Sequence, residues 1–320
     1  MGILTKLLSR SEKTVAHLPL SSIGHEAPHI RTRNIAGVKT TLIGPDLHPD
    51  VAAHFMRQVQ TMKEQYPGAH SRLGHIILDN TNTTEKMFHK ENLFSSEESS
   101  FIDQARVRQG AVALTGVGQR PGEIRPNMSI VVNVQGILKR TQETGMENVE
   151  NDGLAQIYTH EFGHVIQEHM ARLSNEDRNI RITNEDRDIS DKRMNKLIDK
   201  PFAKSGHSLL SEGANANPNS ARTNWFLGSE YAGSAHAELY PELLRLVHYP
   251  NPINKSKGFA PSVKKGLDPR GFAISSVGKI KNQIQNLEKQ TISGIRSTTK
   301  NGARPRSRSA IGGIGYLQSR

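Results

Sequence analysis

Residues 160–164 read His160-Glu161-Phe162-Gly163-His164. Imidazoles four positions apart project from one face of a helix, so both can reach a single metal ion. The carboxylate of Glu161 follows the first imidazole by about 100° around the same helix, where it can hold a water on that ion and take its proton. This is the H-E-x-x-H pattern of zinc hydrolysis. A catalytic zinc needs three protein ligands and one open position, so a third donor must come from elsewhere in the chain. No cysteine is present, which excludes thiolate ligands and a cysteine nucleophile.

A closely spaced third histidine is excluded. That arrangement needs glycine where Gln167 stands, and His169 falls one residue short of the required spacing. A carboxylate on a later helix is the alternative, and the segment from Tyr231 to Glu242 offers two. Glu238 and Glu242 are spaced i,i+4 and share a face, so one can ligate while the other supports a ligand from behind. Ser234 suits the N-cap of that helix. Glu212, Glu230 and His236 are rival third donors, each without a paired carboxylate and tyrosine.

Elements must hold these residues in place. The helix bearing the histidine pair is expected over Asp152–Leu173, with Asn151 or Asp152 as N-cap. Leu154, Ile157, Tyr158, Phe162, Val165 and Ile166 make it apolar around more than half its circumference, the mark of a buried helix. Before it, the pattern predicts a helix over Pro49–Gln65 with Val51, Phe55, Val59 and Met62 on one face, closed by Pro67-Gly68. A strand over Leu73–Leu78 ends in the polar turn Asp79–Thr84, and a helix of weak period covers Glu97–Arg108. Strands over Ala111–Thr115 and Ser129–Val134 complete an α+β half-domain whose sheet lies against the histidine-bearing helix. Ser129–Val134 reads either as an ordinary core strand or as the edge strand that pairs with an extended substrate. After the helix, the charged segment Arg172–Lys200 reads as a solvated helical insertion, and Pro201–Ala221 as a Gly/Asn/Ser-rich loop. A last ordered element is expected over Ser234–His248 with Leu239, Leu243 and Leu246 as its apolar positions. Pro241 within it is expected to bend the axis between Glu238 and Glu242.

Composition bounds the rest. Of 320 residues, 35% are hydrophobic and 5% aromatic, which suits one core with poorly packed ends. The net charge of +11 is uneven: 251–320 holds 14 Lys+Arg against 2 Asp+Glu, leaving 28 and 29 in 1–250. The reading is a flexible leader over 1–35, a catalytic domain over 36–250 with an insertion at 172–200, and a basic, largely disordered tail over 251–320. The tail carries only Phe259, Phe272 and Tyr316 as aromatics for stacking, so a nucleic-acid partner is not expected. No apolar run approaches the roughly 18 residues that span a bilayer. Lys6 and Arg10 interrupt the start of the chain, which lacks a signal-peptide core, and Lys6 breaks the myristoylation pattern at Gly2.

His160-Glu161-Phe162-Gly163-His164, then Tyr231, Glu238 seven residues later and Glu242 four after that, resemble the catalytic domain of anthrax lethal factor and the related clostridial Pro-Pro endopeptidases. The segment from Ala237 to His248 follows the same pattern, and the resemblance covers about 155–170 and 224–248. It implies a zincin-like α+β domain: a small mixed sheet with an active-site helix, then a helical lower half. It further implies that His160, His164 and Glu238 bind one Zn²⁺ and that Glu161 is the general base. Tyr231 would donate a hydrogen bond to the developing oxyanion, and Glu242 would orient a ligating histidine. The activity implied is that of a gluzincin-type metalloendopeptidase, monomeric, acting on a protein or peptide substrate. As a secreted toxin or effector, it would be delivered by a non-Sec route. Two alternatives stand beside it: an inactive zincin-fold binding protein acting through the basic tail, and a cytoplasmic housekeeping metalloprotease. The sequence departs from the family in the 172–200 insertion and in Pro241.

Overall fold

A computed structural model describes residues 29–81, 94–107, 113–118, 127–137, 150–174, 184–203, 236–249 and 269–300. Strands β1 (Ile30–Ile35), β2 (Val38–Ile43), β3 (Leu73–Asp79), β4 (Ala113–Gly118) and β5 (Asn127–Asn133) form one mixed sheet in the order β1-β2-β3-β5-β4. β2, β3 and β5 run parallel, while β1 and β4 lie antiparallel at the two edges. β1 and β2 turn through Ala36-Gly37, with φ of 53° and 96°. A two-residue hairpin loop with both residues left-handed matches the natural twist of its strands.

Helix α1 (Pro49–Gln65) starts with proline at its first position, where no N–H is needed, and its stripe of Val51, Phe55, Val59 and Met62 is buried. A single turn, α2 (Pro67–His70), follows it into β3. Ile76, Leu78, Ile130 and Val132 on one sheet face share a core with Phe55 and Met62 and with Leu154, Tyr158 and Phe162 of α4 (Glu150–Ser174). On the other face, Ile43, Ile77 and Val131 pack under Ile102 and Ala105 of α3 (Ser96–Val107). β3 and β5 are covered on both faces, which is why their sequences are runs of Ile, Leu and Val without strict alternation.

The α3 face also buries a polar layer. His75 sits 2.8 Å from both Thr41 Oγ1 and Glu98 Oε1, and Ser129 Oγ donates to the same Glu98 oxygen at 2.8 Å. Arg106 closes on Asp79 with Nε at 2.5 Å from Oδ2. Buried polar groups of this kind are tolerated because each finds a partner.

Below the sheet lie α5 (Asn184–Ala203), a 3-10 turn (His236–Glu238) leading into α6 (Leu239–His248), and α7 (Pro269–Lys300). No helix among the described residues is long and apolar enough to cross a membrane.

The structure corrects several expectations. Ile30–Ile35, assigned to a flexible leader, is edge strand β1; its Arg-Thr-Arg-Asn centre suits a half-exposed edge and hides the strand from a hydrophobicity reading. Of the two readings of Ser129–Val134, the core strand holds, because β4 lies outside β5. The 251–320 stretch is not uniformly disordered: 269–300 is helix α7, with Ala273, Val277, Ile280 and Ile284 buried in the main core. Those positions are spaced 4, 3 and 4 apart, a helical stripe masked by basic composition. Within the charged 172–200 segment, 172–174 and 184–200 are helical, but these parts are not simply solvated. α4 continues to Ser174, and Met194 and Ile198 of α5 enter the core. α4 already begins at Glu150, so Asn151 and Asp152 are inside it and not its cap, and α5 runs on through Pro201 to Ala203. Ser234, the expected N-cap, lies outside the described residues, as does the leader before residue 29.

Candidate metal centre

α4 brings the site together. Its Tyr158, Phe162 and Val165 face the main core, leaving His160 and His164 on the side that meets the 3-10 turn and α6. The two helices meet at backbone level. A Cβ added to Gly163 would come within 2.6 Å of Pro241 Cα, so the glycine inside the H-E-x-x-H pattern makes this approach possible. Pro241 itself stands in the first turn of α6, where a missing N–H leaves no hydrogen bond unmade. The break in the segment therefore falls between the 3-10 turn and α6, with Glu238 at the N-cap position and Glu242 in the first turn.

Three donors converge. Glu238 Oε2 lies 3.1 Å from His160 Nε2 and 3.4 Å from His164 Nε2. Ligands about 2.0–2.2 Å from a tetrahedral ion are themselves about 3.3 Å apart, so the spacing suits a shared ion. The three form a group, half-buried to buried, that could hold a metal ion.

The supporting contacts orient the two imidazoles. His160 Nδ1 lies 2.9 Å from Glu242 Oε1, and Glu242 Oε2 accepts from Arg245 Nε at 2.9 Å. A carboxylate at Nδ1 fixes the proton there and turns the Nε2 lone pair towards Glu238. His164 Nδ1 lies 2.9 Å from Gln167 Oε1. Two imidazole lone pairs and a carboxylate oxygen thus point at one place, an arrangement that only a cation or shared protons can hold.

The electrostatics agree. Burial disfavours an imidazolium at His160, but Glu238 and Glu242 outweigh it and push its pKa up to about 10. Burial likewise works against ionised Glu238, yet the two histidines bring it down to about 2. Glu242 is also held at about 2, against burial, by Arg245 and His160. The place is strongly selective for positive charge, whether proton or metal.

Glu161, the remaining motif residue, lies beside the ligands, where its charge favours the protonated forms of His160 and His164, and it also reaches the sheet. Its Oε2 accepts a 2.5 Å hydrogen bond from Thr115 Oγ1 on edge strand β4. Sequence reasoning did not single out Thr115, Gln167 or Arg245. Thr115 and Gln167 reach partners 46 and 70 residues away in the chain, whereas Arg245 reaches Glu242 three positions before it on the same helix. It also passed over Asp191 of α5, whose carboxyl burial pushes up to about 7 while the nearby His164 draws it down. Tyr231, Glu212 and Glu230 lie outside the described residues. The structure brings together His160, His164, Glu238 and Glu242, with Glu161 beside them.

Comparison with protein families, curated proteins and solved structures gives no match.

Proposed function

We propose that this chain is a zinc-dependent endopeptidase of the gluzincin type, with His160, His164 and Glu238 as metal ligands. The observation that carries the reading is the convergence of two Nε2 lone pairs and the Glu238 carboxylate, with an unligated Glu161 next to them on α4. Two imidazoles and one carboxylate are a donor set suited to catalytic zinc, and three ligands leave a position open. When bound, zinc supplies Lewis acidity, making water acidic near neutral pH and polarising a carbonyl.

The chain's own residues do the rest. Glu161 is the proton acceptor. Thr115 holds Oε2, which leaves Oε1 to take a proton from attacking water and pass it to the leaving amine. Glu242, anchored by Arg245, keeps the His160 proton on Nδ1. β4 is the strand beside the catalytic carboxylate, and among the described residues it pairs only through one edge, with β5. An extended substrate strand added to its other edge would bring a peptide bond past Glu161. Tyr231 as the oxyanion donor, and a role as a secreted toxin or effector acting on a protein of a host, rest on the resemblance to lethal factor.

The test profiles new protein N-termini produced in a target proteome by wild type and by Glu161→Ala. Wild type should generate a discrete set that the variant lacks, while the variant retains zinc. Equal cleavage by both proteins would rule out Glu161 as the base.

A further inference from the structure

Gln167 is the residue whose geometry says most beyond the ligand set. Its Nε2 donates to the backbone carbonyl of Ala237 at 2.8 Å, and its Oε1 lies 2.9 Å from His164 Nδ1. A carbonyl oxygen only accepts, so the amide must turn its NH₂ group to Ala237 and its oxygen to His164. An amide oxygen also only accepts, so the proton between it and His164 belongs to Nδ1. The Nε2 lone pair of His164 is then left facing Glu238 Oε2, 3.4 Å away. One backbone carbonyl therefore sets the amide, and the amide sets the tautomer.

The same contacts make a closed loop. Ala237 immediately precedes Glu238, the third donor, and Gln167 follows His164 by one helical turn. The path from His164 through Gln167 to Ala237 and Glu238 joins the second donor to the third across two separate elements, α4 and the 3-10 turn. His160 is supported differently, by the ionised Glu242 backed by Arg245.

We infer that Gln167 is a positioning residue of the metal centre. It locks His164 in the Nε2-ligating tautomer and so sets metal affinity without touching the metal, while its bond to Ala237 steadies the turn carrying Glu238 in the zinc-free chain. This rests on the metal-site reading above. Hydrogen-bond partners of ligating histidines typically contribute about 10–100-fold to affinity.

The experiment measures Zn²⁺ affinity of the full chain by competition with a chromophoric chelator, for wild type, Gln167→Met and Gln167→Glu. Methionine keeps the length but removes both contacts, and its affinity should fall about 10–100-fold. Glutamate keeps an acceptor, a stronger one, for the Nδ1 proton but loses the donor to Ala237. It should bind zinc at least as tightly as wild type while the zinc-free chain melts at a lower temperature. A role confined to packing would lower the melting temperature in both variants and leave the methionine variant's affinity unchanged. Wild-type affinity in Gln167→Met, or a tenfold loss in Gln167→Glu, would each overturn the inference while the metal site stands. A wild-type chain that fails to bind zinc would remove the site and this inference together.

Discussion

Two glycine-to-alanine substitutions test whether the close approach of α4 and α6 builds the metal centre. At Gly163 a new Cβ would meet Pro241 at 2.6 Å from Cα, 2.9 Å from Cβ and 3.0 Å from Cγ. Carbon atoms in contact rest about 3.5–4.0 Å apart, so the helices must separate by about 1 Å, and the obstacle is backbone that cannot swing aside. Alanine gains about 1 kcal/mol over glycine in a helix interior, whereas overpacking costs about 1–3 kcal/mol. The net expectation is a loss of about 0–2 kcal/mol in the zinc-free protein. Metal ligation tolerates about 0.2 Å, and Glu238 and Glu242 travel with Pro241, so zinc affinity should fall at least about tenfold. Gly278, inside α7, has nothing within 4 Å of its Cβ position. Gly278→Ala should therefore stabilise by up to about 1 kcal/mol and leave zinc binding alone. Urea denaturation of the zinc-free proteins and chelator competition read both quantities. If Gly163→Ala gains stability as Gly278→Ala does and binds zinc normally, the contact does not position the ligands.

Other consequences are open to measurement. Thr115→Val removes the hydrogen bond to Glu161 while keeping side-chain shape; kcat should drop about tenfold at unchanged zinc content, and an unaltered kcat would show that the bond does not position the base. Ile280→Ala in α7 should cost about 2–5 kcal/mol in urea unfolding, because Ile280 is fully buried; a surface-like loss below about 0.5 kcal/mol would mean that α7 does not dock. In the zinc-free protein, the raised His160 contributes stability that is complete below its ordinary 6.5 and lost as pH rises through about 10. The depressed Glu238 contributes stability complete above its ordinary 4.5 and lost as pH falls through about 2. The stability difference between wild type and His160→Gln should therefore be larger at about pH 5.5 than at about pH 9, and the reverse order would contradict the site's electrostatics.

Much of this molecule is legible in one dimension. The stripe of Val51, Phe55, Val59 and Met62 fixes α1 to its observed ends, since helical periodicity and a proline start are local properties. The apolar runs of β3 and β5 mark them as strands for the same reason, although not their neighbours in the sheet. The i,i+4 spacing of His160 and His164 determines that they share a face of α4. Where composition and periodicity disagreed, composition misled. The polar β1 and the basic α7 are ordered because each has a partner surface, β2 for one and the Phe162-side core for the other, and partners do not show in local composition.

Sequence by itself therefore determined the helix that carries the histidine pair and nominated Glu238 and Glu242 as its distant partners. Only the tertiary structure decided that Glu238 meets both Nε2 atoms, that Glu242 backs His160, and that Gln167 and Thr115 belong to the site. The reason is one of range. Helical spacing follows from bonds within a turn, whereas these contacts join residues 46 to 82 positions apart, apart from the local bond between His164 and Gln167. Those made by Glu238 and Glu242 go with a close approach of two helices, in which Pro241 comes within 2.6 Å of where a Gly163 side chain would begin.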